Sequence, residues 1–124
     1  MIYTSTLRNL LANAMGGYQN GGKIELRKAD ETLIARMNPL PGPAYNTAPA
    51  TATGVITANA IPDGTVGASE TIDHATFFNS AGAELFELSV SITGGAGELE
   101  LSAIAVTIGD VISITDGTIT QPAS

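Results

Sequence analysis

Apolar residues near the start of the chain recur at steps of three and four, which is the spacing of one face of an α-helix. The residues on this stripe are Leu7, Leu10, Leu11 and Ala14. Thr4 or Ser5 can cap the first turn through its hydroxyl, and Gly16-Gly17 can end the helix in a left-handed turn. A helix this short is marginally stable alone, so we expect it to dock on the chain's own sheet or on a partner.

Farther along, apolar and polar residues alternate, as they do in β-strands with one buried face. Residues 22–28 place Ile24 and Leu26 on one face and charged residues on the other. The alternation resumes at residues 32–37 after a turn at residues 29–31. This arrangement predicts an antiparallel hairpin.

Short strands separated by turn residues are predicted over the rest of the chain. They cover residues 53–61, 69–79, 84–92, 98–108, 111–115 and 118–120. Phe77 and Phe78 are neighbours and so point to opposite faces, which requires a second layer or a partner for one ring. About seven or eight strands at this spacing predict an all-β fold, a β-sandwich or jelly-roll-like barrel with one short N-terminal α-helix. We expect a single domain over residues 1–124, with the helix within residues 1–17.

A proline-rich segment at residues 38–54 interrupts the strands. Its prolines are Pro39, Pro41, Pro43 and Pro49. Proline donates no backbone hydrogen bond, so the segment is predicted to be a long loop rather than a central strand. We interpret Tyr45 within it as an anchor onto a neighbouring chain, because a tyrosine joins a large apolar ring to a polar hydroxyl.

Charge is distributed unevenly along the chain. Its 124 residues carry a formal net charge of −7, yet all five cations lie before residue 37. They are Arg8, Lys23, Arg27, Lys28 and Arg36. Most of the chain therefore cannot neutralise phosphates, and no nucleic-acid partner is expected. Two interpretations remain open, an acidic soluble surface or a basic region that touches an acidic neighbour.

The sequence contains no cysteine, which excludes disulfides and thiolate metal sites and agrees with folding in a reducing cytoplasm. No stretch approaches the roughly 18 to 20 apolar residues that cross a bilayer, so no membrane partner is expected. The first residues include one cation, Arg8, and no apolar run of signal-peptide length. We therefore expect a soluble protein without a secretion signal.

His74 is the single histidine and the first candidate for chemistry. Asp73 and Glu70 are close in sequence, but Asp73 and His74 should point to opposite faces of an extended strand. We interpret His74 as a strand-edge or interface residue. Glu98 and Glu100 share a strand face, but the alternating leucines mark that face as solvated rather than as a glycosidase pair. No catalytic residue, metal ligand or cofactor is assigned, and an enzyme is not expected.

The order of several short motifs resembles that of small virion proteins of tailed bacteriophages and prophages. The matching segments are TANAI at 57–61, FFNSAG at 77–82 and ELELSAIAVTIGDVISIT at 98–115. The resemblance covers nearly the whole chain and implies a head decoration or cement protein that is made in the host cytoplasm and binds the major capsid protein on the capsid surface. The usual pattern has an aromatic-arginine pair before SAG, whereas this chain has Phe78-Asn79, so no contact by that arginine is carried over.

The resemblance and the charge distribution together suggest a partner-binding surface. We expect the basic residues and the loop from Pro39 to Pro49 to hold the major capsid protein or a sister copy, with the acidic remainder facing outward. The candidate partner-binding residues are Arg8, Lys23, Arg27, Lys28, Arg36, Pro39, Pro41, Pro43 and Tyr45. Deleting residues 38–49 is predicted to abolish particle binding while the β fold survives. Copies of the chain are expected to associate, and a trimer fits the threefold positions of a shell.

Two other functions remain open at this point. A tail- or fibre-associated structural module differs from a decoration protein only in its position in the particle. A carbohydrate-binding β-sandwich would present exposed aromatic rings on a flat face, and the absence of tryptophan from this chain counts against it.

Overall fold

The computed structural model describes residues 2–46 and 54–120, and the chain is all-β with one N-terminal helix. Helix α1 spans Ser5–Gly17. The strands are β1 Lys23–Arg27, β2 Leu33–Met37, β3 Val55–Thr57, β4 Gly64–Thr65, β5 His74–Phe78, β6 Glu84–Ile92, β7 Leu99–Leu101, β8 Val111–Ile112, β9 Ile114–Asp116 and β10 Thr118–Thr120. The predicted all-β class with one short helix is confirmed.

The main sheet has six strands in the order β2-β1-β5-β6-β7-β9 and curls into a half-barrel. Adjacent strands of this sheet pair antiparallel, except that β6 and β7 pair parallel. The predicted hairpin is confirmed as β1 and β2, with Ile24 opposite Met37. Two small antiparallel sheets, β3 with β10 and β4 with β8, complete the fold.

Glycines allow the connection between the parallel strands β6 and β7 to be short. Residues 93–98 join the two strands, fewer than the dozen or more residues that parallel crossovers usually need. A Cβ on Gly97 would lie 2.6 Å from the backbone nitrogen of Ser91, so only glycine fits at this close approach. Glu98 and Glu100 hold the loop by accepting hydrogen bonds from the amides of Ser89 and Gly94.

Helix α1 begins as predicted but ends differently. The Thr4 hydroxyl accepts a hydrogen bond of 3.2 Å from the Leu7 amide, which confirms the cap. The left-handed turn expected at Gly16-Gly17 is wrong. Tyr18 caps the helix in a right-handed conformation while its amide still bonds to Ala14, and the positive φ of 69° comes later, at Gly21.

Small residues, rather than the leucine stripe, dock α1 on the body of the protein. Ala12 and Gly16 are buried. A Cβ on Gly16 would meet the Ile56 and Tyr45 side chains at 3.0 and 3.1 Å, so the helix backbone lies close to β3. The leucines then lie about half a turn away, and Leu10 is 61% exposed.

The buried side chains lie between the concave face of the main sheet, helix α1 and the small sheets. Phe77 is fully buried and stacks on Phe86 with ring centroids 4.7 Å apart. Phe78 points to the other face, as predicted, where the Lys23 ammonium lies 4.7 Å from its ring centroid. A cation from the same chain covers this ring, so the ring no longer requires a second copy.

Several predicted strands are shorter in the structure. β5 begins at His74 rather than at residue 69, and residues 70–72 instead hydrogen-bond to residues 104–106. Leu99 and Leu101 point inward as expected. Ile108 does not, because a turn of residues 107–110 leaves its side chain 65% exposed.

Candidate functional site

Four polar side chains form one row across the outer face of the main sheet. Arg36 of β2 lies opposite Glu25 of β1. Glu25 lies opposite Thr76 of β5, and Thr76 lies opposite Glu87 of β6. Directly opposed residues share a face of the sheet, and this face is the reverse of the one that carries Ile24 into the core.

Glu25 is the buried centre of this row, with a side chain only 3% exposed. Lys23 Nζ lies 3.2 Å from its Oε2, and Arg36 Nε donates to the same oxygen at 2.9 Å. The Arg27 guanidinium pairs with Oε1. Burial by itself raises the pKa of Glu25, but the hydrogen bonds from the three cations outweigh it and hold the pKa below its ordinary value.

The five basic residues that were predicted to bind a partner divide among three places. Three of them are the cations around Glu25, where they leave a surplus of two positive charges. Lys28 Nζ approaches Glu70 Oε2 at 3.4 Å, and Arg8 lies on helix α1. Their role in partner binding stays a prediction, although four of the five lie against an acid of their own chain, Glu25 or Glu70.

His74 lies beside the polar row, opposite Arg27, and is 8% exposed. Its Nδ1 is 2.9 Å from Asp73 Oδ2 in a hydrogen bond. Its Nε2 is 3.1 Å from Glu31 Oε1 and 3.9 Å from Glu87 Oε1. One imidazole therefore faces three carboxylates.

Two expectations about His74 are wrong. It is not at a strand edge, because β5 lies between β1 and β6 in the middle of the sheet, whereas its alternative interpretation as an interface residue stays a prediction. Asp73 does not point away from it, because β5 begins at His74 and the residue before a strand is free of the strand's alternation. Burial lowers the pKa of His74, but the Asp73 and Glu31 carboxylates, with Glu87 beyond them, outweigh this and raise it.

The His74 cluster has the donor atoms of a metal centre. Glu31, His74 and Glu87 each offer one ligand atom, and these three atoms lie within 4.8 Å of one another. Sequence reasoning missed Glu31 and Glu87, because one lies in the β1–β2 turn and the other on β6. They reach His74 only through the register in which the strands pair, and no spacing of residues along the sequence indicates that register.

An apolar groove of about 430 Å³ runs between helix α1 and strand β6. Its lining residues are Leu11, Ala14, Met15, Tyr18, Leu85 and Phe86. The outward leucines of α1 continue this apolar surface, with Leu7 at 39% and Leu10 at 61% exposure.

The described part of the proline-rich loop is fastened to the body of the protein. The Leu40 amide donates to the Gly22 carbonyl at 2.9 Å, and the Ala44 amide donates to Asn20 Oδ1 at 2.7 Å. Tyr45 is 7% exposed and packs in the core of its own chain. Its interpretation as an anchor onto a neighbouring chain is therefore wrong, because almost none of its surface remains for a partner.

The loop prolines stay candidates for partner binding. Pro39 and Pro43 are exposed and Pro41 is half-buried, whereas Pro49 lies outside the described residues. The predicted deletion of residues 38–49 would not leave the fold intact, because this segment contributes Leu40 and other core side chains.

Within the described ranges α1 is the one helix, and its 13 residues are too few to cross a membrane. Comparisons with protein-family models, with curated proteins and with solved structures each find no match.

Proposed function

We propose that this chain is a structural protein of a tailed-bacteriophage particle, a head decoration or cement protein that binds the major capsid protein on the outside of the shell. The order of motifs in the sequence supports the link to phage particles. The exposed apolar face of α1 supports binding to another protein as the mode of action.

The outward face of α1 is the single observation that carries the binding role. Leu7, Leu10 and Leu11 are each more than one third exposed, and Tyr18 at the helix end is 68% exposed. Together with the adjoining groove they form one apolar patch at the helical end of the molecule. A contiguous apolar patch of this kind is typical of a protein-binding surface.

Charge favours the same end of the molecule. Residues 1–22 contain one cation, Arg8, and no acidic residue, whereas all twelve acids follow. Copies of a chain with a net charge of −7 repel one another, but the helical end can approach a shell protein without burying an unpaired carboxylate. The major capsid protein is therefore the proposed occupant of the helical patch, with the acidic remainder of the chain facing outward.

A matched pair of variants tests this surface. Leu10→Glu places a charge in the helical patch, and Ile108→Glu makes the same change at a residue of similar exposure in the turn before β8. Burying a leucine is worth roughly 1.5 to 3 kcal/mol, so Leu10→Glu should lower the affinity for purified heads that lack this chain by about tenfold or more. Ile108→Glu should bind such heads like the unmodified chain in a co-sedimentation assay.

Copy number in the particle tests the function itself. Quantitative mass spectrometry of purified particles should find hundreds of copies if the chain decorates the shell. A few copies per particle would indicate the tail- or fibre-associated module instead, and absence from the particle would refute a virion role. Dimers or trimers of the free chain that Leu10→Glu dissociates would assign the helical patch to self-association rather than to the capsid protein.

A further inference from the structure

The imidazole of His74 is held with one nitrogen aimed at a group of carboxylates. His74 Nδ1 bonds to Asp73 Oδ2, and because a carboxylate only accepts, Nδ1 carries the proton. Nε2 is then the atom that carries the lone pair of the neutral ring. It is completely shielded from solvent and makes no hydrogen bond, although Glu31 Oε1 is only 3.1 Å away.

In this arrangement the lone pair of Nε2 and the neighbouring carboxylates repel one another. A neutral ring presents the lone pair of Nε2 to the carboxylates of Glu31 and Glu87. A buried polar atom without a partner is costly, and a lone pair against a carboxylate adds to that cost. Either a second proton on Nε2, which the raised pKa of His74 favours, or a cation bound among the three atoms removes this repulsion.

We propose that Glu31, His74 and Glu87 form a binding site for a divalent transition-metal ion, with Zn²⁺ as the reference ligand. The donor set is one imidazole nitrogen and two carboxylate oxygens, which suits Zn²⁺ and its first-row neighbours better than Mg²⁺ or Ca²⁺. The site is independent of the proposed capsid-binding role and uses none of the residues of the helical patch.

The distances approach those of one ion shared by three ligands, and one of them is already in the required range. Ligand atoms about 2.1 Å from a common ion lie about 3.0 to 3.4 Å apart at octahedral or tetrahedral angles. The separations of Nε2 from Glu31 and Glu87 are 3.1 and 3.9 Å. All three ligand atoms lie within 4.8 Å of one another, and both glutamates are about half exposed, so rotations of their side chains can bring the atoms into range.

Asp73 supplies the supporting contact that metal-bound histidines usually have. Its hydrogen bond to Nδ1 orients the ring and selects the tautomer that offers Nε2 to the metal. Arg27 lies near the site, because its guanidinium donates to the Glu31 carbonyl at 2.7 Å while pairing with Glu25, but the three carboxylates around the imidazole outnumber this one cation. The three carboxylates around His74 therefore give the site a negative charge.

A bound ion would join three elements that are distant in sequence. Glu31 lies in the turn between β1 and β2, His74 begins β5 and Glu87 lies on β6. The ion therefore acts as a structural cross-link between one turn and two strands of the main sheet. The chain has no cysteine that could form a disulfide for this purpose. The ion should stabilise the sheet in proportion to its occupancy.

The single histidine allows a direct test on the unmodified chain. Full-length protein without a histidine tag is stripped with EDTA and titrated with ZnCl₂ while the ¹⁵N resonances of the His74 ring are followed by NMR. The expected result is saturation at one equivalent with a large shift of the Nε2 resonance, and a higher melting temperature. A ring that keeps both protons and does not respond to 1 mM Zn²⁺ would show that Nε2–H only forms ion pairs, and would overturn the proposal.

Variants identify the ligands without disturbing the core. Glu31→Gln and Glu87→Gln each remove one ligand charge at an exposed side chain and should weaken Zn²⁺ binding by about tenfold or more, as should Asp73→Asn. Glu84→Gln is the matched control, because it makes the same change at another exposed glutamate of β6 and should leave the affinity unchanged. Equal Zn²⁺ affinity of the Glu31→Gln/Glu87→Gln double variant and the unmodified chain would refute the site, and unchanged circular dichroism would exclude misfolding as the cause of any loss.

Discussion

At the scale of single residues, the polar face of the sheet shows how a short strand can bury a charge. Glu25 is 2% exposed as a residue, yet three cations neutralise it, and each of them keeps part of its own side chain in water. A buried carboxylate is tolerated when every lone pair finds a donor, and it is costly when its partners are removed. Glu25 therefore organises the outer face, although it lies on a strand whose pattern predicts it to be exposed.

Replacing Glu25 tests this role. Glu25→Gln keeps the size of the side chain but removes the charge that holds three cations, so we expect a loss of about 1 to 3 kcal/mol in the free energy of unfolding. Urea denaturation followed by circular dichroism measures it. Glu84→Gln, an exposed glutamate in the same sheet, serves as the control and should change stability by less than about 0.5 kcal/mol.

The pKa of Glu25 also gives this difference a pH dependence. Its pKa lies below the ordinary value in the folded chain, so its contribution to stability is fully present above the unfolded value of 4.5 and is lost as the pH falls through the folded pKa. The stability gap between the unmodified chain and Glu25→Gln should thus be constant from pH 6 to 7 and shrink below pH 4.5. A gap that grows with acidification would contradict the assignment of the shift to the three cations.

At the scale of elements, β5 shows how two adjacent phenylalanines come to contribute differently to the stability of the fold. Phe77 faces the core and stacks on Phe86, whereas Phe78 faces outward beneath the Lys23 ammonium. The alternation of a strand decides this separation, and the partner on each face decides its strength. Helix α1 differs from β5, because its smallest residues rather than its largest pack against the body of the protein.

Truncating each phenylalanine in turn should give very different costs. Phe77→Ala removes a fully buried ring and is expected to lower the free energy of unfolding by about 3 to 5 kcal/mol. Phe78→Ala removes a half-buried ring whose cation contact is worth about 0.5 to 1 kcal/mol, so its cost should be near 1 to 2 kcal/mol. Thermal and urea denaturation compare the two variants. Equal losses in the free energy of unfolding would mean that groups other than Lys23 also bury the Phe78 ring.

At the scale of the whole molecule, the sheet surrounds a core to which nearly every element contributes. Strands β1, β5, β6 and β7 have hydrogen-bonded neighbours on both sides, whereas β2 and β9 end the main sheet. Of the four inner strands, β1 and β5 are mostly buried and β6 is partly exposed along its length. The small sheets β3–β10 and β4–β8 have two strands each, and isolated two-stranded sheets are marginal in water. Stability should therefore be highest in the middle of the main sheet.

Amide hydrogen exchange should reveal this gradient. The slowest-exchanging amides are expected in β1 and β5, because they open only when the main sheet separates. Amides of β8 and β10 should exchange through local opening and be lost orders of magnitude sooner. NMR-detected exchange at neutral pH measures both sets, and maximal protection in β10 would contradict this picture of the fold.

Much of the local structure is predictable from the sequence alone. Thr4 marks the start of the helix because its hydroxyl suits the cap, and Leu99 and Leu101 mark a buried face because strand residues alternate. These signals lie within a few residues of each other, and the physics that produces them is equally local.

The tertiary structure decided how those elements meet. The leucine stripe of α1 faces outward only because Gly16 allows a closer approach to β3, and Tyr45 enters the core only because its loop is fastened back onto the body. The His74 cluster likewise depends on the register of β5 against β6 and on the position of the β1–β2 turn. Periodicity determines which residues share one face of an element, but contacts between elements are settled by packing and register across the whole chain, which no short window of sequence contains.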